Sequence, residues 1–282
     1  MLPNRCIFMQ TIIFDSEGRI YEMSIFSRKT YSSHLSEIPL SEMHCHLMSG
    51  VDDGAEDYIQ SENMLGMMAN DNVRTIILTP HHKGDRHCVS PEGIIKRTAL
   101  LNDYSDEKHL GIKLYPGSEL FYDSELGDRL ESGEAVTMAG SKYILVEFHP
   151  MDEYKYISNG LISLLELGYM PILAHAERYM CMVDDTSLNK SIDLTENGIY
   201  LQCNTGSITG KFGRKTATFC KKLLCKELVT FIGTDAHSDV GNRVPDMKSC
   251  LIYMQKRLGL HESYIEELMA KNTISIIENT RI

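Results

Sequence analysis

The chain has 282 residues, enough for one large α/β domain or two small ones, and its 43% apolar content supplies a sizeable core. A formal net charge of -11 argues against nucleic acid or an anionic membrane as the main partner, because either would call for a basic field. No apolar run approaches the roughly 18 residues of a membrane span. Eight scattered cysteines (Cys6, Cys45, Cys88, Cys181, Cys203, Cys220, Cys225 and Cys250) contain no C-x-x-C pair, which indicates a reduced, cytoplasmic protein.

Residues 1–38 stand outside the pattern that follows and are expected to form an N-terminal extension. They hold one candidate strand, Thr11–Phe14, a Ser16-Glu17-Gly18 turn and a polar stretch leading to Pro39. The apolar segment 6–14 is too short and too polar for a signal peptide. Met23 offers an alternative start, so residues 1–22 are the part whose translation is in question.

Residues 39–282 are expected to form one domain. Short β-branched runs at 40–46, 75–80, 112–119, 143–148, 170–175, 199–204 and 229–235 read as strands. Helical periods fall between and after them, at 56–70, 91–108, 157–167, 187–196, 214–226, 245–258 and 261–271. In the first, Ile59, Met64, Leu65 and Met68 have core spacing; Pro91 opens the second. Gly168, Gly198 and Gly259 sit where helix C-caps belong. Unbroken alternation predicts parallel strands joined by helices, in a barrel of seven strands, with an open doubly wound sheet as the competing arrangement.

The strand ends carry the chemistry. His44 and His46 are two apart and leave one face of a strand, with Cys45 on the other. Later strands end in Thr79-Pro80-His81-His82, Gly117-Ser118-Glu119, Glu147-Phe148-His149, His175-Ala176-Glu177-Arg178, Gln202-Cys203-Asn204 and Asp235-Ala236-His237. Each has an ordinary reading: a solvated carboxylate, a satisfied core histidine, a helix cap. Six of the seven ends bearing His, Asp or Glu point instead to a shared multinuclear metal site on the C-terminal face of a barrel. Imidazole and carboxylate without clustered thiols favour Mn²⁺, Fe²⁺ or Zn²⁺ and metal-assisted hydrolysis. Arg178 and Arg243 follow ligand strands closely, and a guanidinium fork suits a phosphoryl group. His44 is expected at the rim of the site.

His44-x-His46, Val51-Asp-Asp-Gly54, Thr79-Pro-His-His82, Gly117-Ser-Glu119, Ala174-His-x-Glu-Arg-Tyr179 and Asp235-x-His237 resemble, in that order over residues 38–280, the polymerase-and-histidinol-phosphatase (PHP) superfamily. Within it they look like the capsule and exopolysaccharide branch, the bacterial manganese-dependent protein-tyrosine phosphatases. The resemblance implies a distorted (β/α)₇ barrel with three divalent ions, Mn²⁺ foremost and Fe or Zn acceptable. Carried over position by position, one ion would use His44, His46, Glu119 and Asp235. A second would share Glu119 and add Glu147 and His175, and the third would use Asp53, His81 and His237. Arg178 and Arg243 would bind phosphate, with His82 and His149 as outer candidates. The implied reaction is hydrolysis of phosphotyrosine by a metal-activated hydroxide, on a tyrosine kinase of polysaccharide synthesis. A small phosphate ester such as histidinol phosphate is the alternative substrate, and a non-enzymatic metal-binding module the third reading. No cysteine is followed six positions later by arginine, so the thiol route to tyrosine dephosphorylation lacks its motif.

Overall fold

A computed structural model describes residues 11–14, 20–23, 35, 37–84 and 88–282, which fall into two units, Met1–Ser32 and Ser33–Ile282. In the first unit, β1 (Thr11–Phe14) pairs antiparallel with β2 (Ile20–Met23), so the strand expected at Thr11–Phe14 is present. The expected Ser16-Glu17-Gly18 turn and Cys6 lie outside the described residues.

The second unit contains, in chain order, β3 (Leu40–Glu42), β4 (Val73–Ile77), β5 (His81–His82), β6 (Lys113–Tyr115), β7 (Glu119–Phe121), β8 (Tyr143–Glu147), β9 (Met170–Leu173), β10 (Tyr200–Asn204) and β11 (Phe231–Gly233). All pairings among them are parallel. One sheet runs β3-β4-β6 and the other β5-β7-β8-β9-β10-β11. Because β5 continues the line of β4, and β7 that of β6, the two sheets are parts of one sequence of seven strand positions. The last returns to the first. Cys45 bridges Ala236, His46 N–H donates to Ala236 O at 2.9 Å, and Asp235 N–H donates to His44 O at 2.7 Å. The result is a distorted (β/α)₇ barrel.

The strands differ from the predicted runs in instructive places. The second and third positions are each broken in two, at Pro80 and at Pro116-Gly117, because proline has no N–H for the ladder. Regular pairing of the first strand stops at Glu42, and His44 and His46 lie beyond it.

The connections are filled by α1 (Tyr58–Asn70), α2 (Pro91–Glu107), α3 (Leu126–Glu131), α4 (Tyr154–Glu166), α5 (Met180–Val183), α6 (Asn189–Glu196), α7 (Thr205–Thr209), α8 (Arg214–Cys225), α9 (Met247–Tyr253), α10 (Glu262–Glu266) and α11 (Asn272–Ile277). Asp57 caps α1 by accepting from Gln60 N–H, and Ser90 caps α2 ahead of Pro91. Met64, Leu65 and Met68 are buried as expected. Ile59 is 68% exposed, because it stands about 140° round the helix from Met64. Gly168, Gly198 and Gly259 take φ of 91°, 85° and 63°, the left-handed values of a C-cap.

Alternation along the strands sorts side chains into two layers. Tyr143, Leu145, Ile172, Ala174, Phe231 and Ile77 pack together inside the barrel. Ile144, Val146, Leu173, Leu201 and Ile232 face the helices instead. The inward series on β8 ends in Glu147, and the inward series on β10 runs through Gln202 to Asn204. Polar groups therefore cap an apolar barrel at its C-terminal end.

Candidate metal centre

Eight residues at or just beyond strand ends, and Asp53 from the turn at 50–54, meet at that face. His44 Nε2 and His46 Nε2 are 3.4 Å apart, and each is 3.3 Å from Glu119 Oε2. Asp235 Oδ1 is 3.6 Å from the first and 3.4 Å from the second. A tetrahedral ion with bonds of about 2.1 Å sets its donors about 3.4 Å apart. The separations of His44 and His46 from each other, from Glu119 and from Asp235 stand near that spacing. His175 Nε2 lies 2.8 Å from Glu119 Oε1 and 3.4 Å from Glu147 Oε1. Asp53 Oδ1 lies 3.2 Å from His81 Nε2 and 3.3 Å from His237 Nε2. His81 Nδ1 links the groups, 3.1 Å from Glu119 Oε2 and 3.6 Å from Glu147 Oε2.

Glu119 Oε2, His81 Nδ1 and His237 Nε2 are buried without a hydrogen bond. Unpaired polar atoms are costly in an interior unless a ligand completes them. The donor set and its spacing fit divalent cations. His44 is not at the rim, as expected, but fully buried in the floor; the 65% exposed side chain of Asp53 stands at the mouth.

Backbone geometry steers two of these side chains. Alternation from Ile172 and Ala174 would send His175 outward. Its left-handed backbone, φ 33° and ψ 57°, turns the ring to Glu119 instead. Asp235 is also left-handed, at φ 53°. Such conformations cost about 1–3 kcal/mol in a residue other than glycine and concentrate at functional sites.

Several imidazoles are fixed through Nδ1, leaving Nε2 for the cluster. His46 Nδ1 is 2.8 Å from Asp52 Oδ2, His44 Nδ1 is 3.2 Å from Gln202 Oε1, and His237 Nδ1 is 3.0 Å from the Asp235 carbonyl. Gln202 Oε1 also accepts from His175 N–H at 2.6 Å, and Gln202 Nε2 donates to Asn204 Oδ1 at 2.8 Å. Asn204 Nδ2 donates to Asp235 Oδ2 at 2.8 Å. Glu42, fully buried at the seam, accepts from His44 N–H and Thr234 N–H. Sequence reasoning missed Glu42, Asp52, Gln202 and Asn204 as supporting residues. The period-two series Glu42, His44, His46 was the available signal for the first.

The outer candidates divide differently. His149 is exposed and its Nδ1 accepts from Met151 N–H, within its own loop. His82 is buried, but among the described residues it belongs to none of the donor clusters. In the 174–179 motif, Glu177 Oε1 accepts from Asn204 N–H and the Tyr179 hydroxyl accepts from Phe148 N–H. Glu177 also lies beside Cys203 and Cys220. The hydrogen bond with Cys220, and burial, push the Cys203 thiol well up, and burial raises Cys220, so both stay protonated.

The electrostatics are those of carboxylates in need of cations. Burial opposes charge on His46, yet Asp235, Asp52 and Glu119 hold its pKa well above the usual value. By the same balance His81, beside Asp53 and Glu119, rises to about 9, and His175, beside Glu119 and Glu147, to about 10. His44 and its neighbours hold Glu119 and Asp235 below the ordinary carboxylate range despite burial. His237 is pushed down by burial.

Two arginines reach Asp235 from the open side. Arg243 donates to Oδ1 at 2.7 Å and Arg178 to Oδ2 at 3.3 Å. Both line a cavity of about 360 Å³ whose apolar wall includes Pro150, Met180, Val183 and Phe212. Met180 and Phe212 are 42% and 45% exposed on this wall.

The family described as capsular polysaccharide synthesis, CpsB/CapC, matches residues 40–278. Tyrosine-protein phosphatase YwqE of Bacillus subtilis is 29% identical over 242 residues, 86% of this chain and 92% of that protein. Tyrosine-protein phosphatase CpsB of Streptococcus pneumoniae is 28% identical over 241 residues, 84% of this chain and 97% of that protein. A chain from the crystal structures of YwqE and CpsB, described as metal-dependent tyrosine phosphatases, superposes with a TM-score of 0.78 at 28% identity, over 86% of this chain and 96% of that one. A histidinol phosphate phosphatase from Lactococcus lactis shares the fold, with a TM-score of 0.55 at 14% identity over 79% of this chain and 95% of that one.

Proposed function

The chain belongs to the CpsB/CapC family of capsular polysaccharide synthesis proteins, and from that premise we propose that it is a metal-dependent protein-tyrosine phosphatase with three divalent ions, Mn²⁺ foremost. The observation that carries the reading is the meeting of two guanidinium groups at Asp235, between the nine-residue donor cluster and an apolar-walled cavity. His44, His46, Glu119 and Asp235 would hold one ion. Glu119, Glu147 and His175 would hold another, and Asp53, His81 and His237 the third. When bound, such ions lower the pKa of water and neutralise phosphoryl oxygens.

This chain's residues supply the rest. Arg178 and Arg243 present planar forks to the phosphate. Met180, Val183 and Phe212 offer an apolar wall for the aryl ring. A phenolate leaving group, of pKa about 10, makes little demand for a general acid. Cys45, Cys203, Cys220 and Cys250 are buried, with their thiols pushed up chiefly by burial and, at Cys203, by the Cys220 hydrogen bond, so none is a ready nucleophile. The physiological substrate on this reading is a tyrosine kinase of polysaccharide export, met in the cytoplasm. Among the described residues no helix is long and apolar enough to cross a membrane.

Elemental analysis and turnover test the proposal together. About three ions per chain are expected, as the donor clusters imply, with hydrolysis of a phosphotyrosine peptide well above that of histidinol phosphate. His44→Ala should remove more activity than the roughly 10- to 100-fold that follows loss of an outer partner. One ion or none per chain, or full activity in that variant, rejects the cage.

A further inference from the structure

The longest stretch of the chain without an acidic residue lies beside the cavity. Between Glu196 and Glu227 there is no acidic residue, while Lys211, Arg214, Lys215, Lys221, Lys222 and Lys226 all occur. Arg214, Thr218 and Lys222 are spaced by four and form one row along α8. That row lines a groove of about 330 Å³ against the segment that follows α5, at Val183, Asp185 and Thr186. The groove shares Val183 and Lys215 with the cavity that holds Arg178 and Arg243, so the two adjoin.

The opposite wall offsets the row only in part. Asp184 is paired with Lys215 at 2.6 Å. Asp185, its carboxylate held by the N–H groups of Ser187 and Lys190, sets one negative charge against the two positive charges of Arg214 and Lys222. Arg214 and Lys222 are exposed and make no ion pair among the described residues. A net-negative protein that leaves a cationic row at the exit of an anion site will favour an anionic ligand there and repel it elsewhere.

We propose that this groove holds the chain flanking the phosphotyrosine and selects substrates with Asp or Glu beside the modified residue, Arg214 and Lys222 being the contacts. The inference rests on the phosphotyrosine reading and adds a sequence preference to it. The row lies outside the cavity that faces the phosphate, so it acts on flanking residues rather than on the ester.

The test compares two phosphotyrosine peptides of equal length, one with acidic flanks and one with the acids replaced by Gln, alongside p-nitrophenyl phosphate. With metal-loaded enzyme at low salt, kcat/KM should favour the acidic peptide about five- to tenfold, the effect of two exposed charge pairs. About 0.5 M salt should erase the preference by screening. The double variant Arg214→Glu/Lys222→Glu should reverse it, and the milder Arg214→Ala/Lys222→Ala should bring the ratio near one. An unchanged ratio in both variants, or no acidic preference in the unaltered enzyme, overturns the inference while leaving the phosphatase reading intact. Absence of turnover on all three substrates overturns both. Sedimentation with phosphatidylglycerol vesicles that the double variant abolishes, without any peptide preference, assigns the row to a membrane and also overturns it.

Discussion

Gln202 holds two histidines of the proposed metal site at once, through His175 N–H and His44 Nδ1, and passes the connection to Asn204 and Asp235. Gln202→Met keeps the side-chain length and removes the contacts with His44, His175 and Asn204. Outer partners of this kind contribute about 10- to 100-fold to metal affinity. A metal titration of the variant should therefore show a loss in that range, with about 1–3 kcal/mol of destabilisation from the orphaned His175 N–H. Unchanged metal retention after dialysis would take Gln202 out of the site. Arg178→Ala should raise KM for a phosphotyrosine peptide and weaken inhibition by free phosphate about tenfold, the effect of one charge-assisted hydrogen bond. Phosphate inhibition curves check it directly. The ligand-type residues were legible in the chain because His, Asp and Glu at strand ends have few other reasons to recur. Gln202 and Asn204 were not, since an amide at a strand end carries no such signal until its neighbours in space are known. Asp52 and Asp53 show the limit well. They are adjacent, yet one orients His46 and the other faces His81 and His237, a distinction set by the turn and not by residue type.

At the scale of elements, the turn that follows the first strand depends on close approach to His46. A Cβ on Gly54 would lie 2.3 Å from the His46 carbonyl oxygen and 2.5 Å from His46 Cβ, and neither atom can swing away. Gly54→Ala should lower stability by about 1–3 kcal/mol through overpacking and shift His46 out of register with His44. Thermal denaturation with saturating Mn²⁺ and metal counting on the same sample check both effects; a fully metallated variant of unchanged Tm contradicts the packing argument. The strand–helix alternation was readable because buried parallel strands are apolar runs bounded by turns. Their interruptions were less so. Pro80 and Pro116 lay inside predicted runs, and only the split sheets show that each run becomes two short strands with a candidate ligand on the second, His81 and Glu119. His175 reaches the cluster for a reason invisible in sequence, a left-handed backbone that reverses its expected face.

Across the whole molecule, seven strand positions deliver Asp53, Glu119, Glu147 and Asp235 to one face, and those carboxylates must be balanced by cations. Divalent ions do so when bound, and binding to the folded state alone stabilises it in proportion to the logarithm of ligand concentration over Kd. Chelation should therefore lower the Tm, and Mn²⁺ should restore it. Once the ions are gone, protons take over the balance. His81 and His175 then titrate near 9 and 10, above an unfolded value of about 6.5. A histidine whose pKa is raised by folding stabilises the fold fully below its unfolded pKa, and that contribution disappears as the pH climbs through the folded value. The chelated protein should thus lose Tm progressively from about pH 7 to pH 10, as imidazolium charges leave the carboxylates unbalanced. The metal-loaded protein should show a much flatter profile over the same range, because ligand imidazoles are already deprotonated and the ions carry the charge. Parallel melting curves across pH decide the matter: coincident profiles for the two forms would mean that the cluster does not exchange protons for metal.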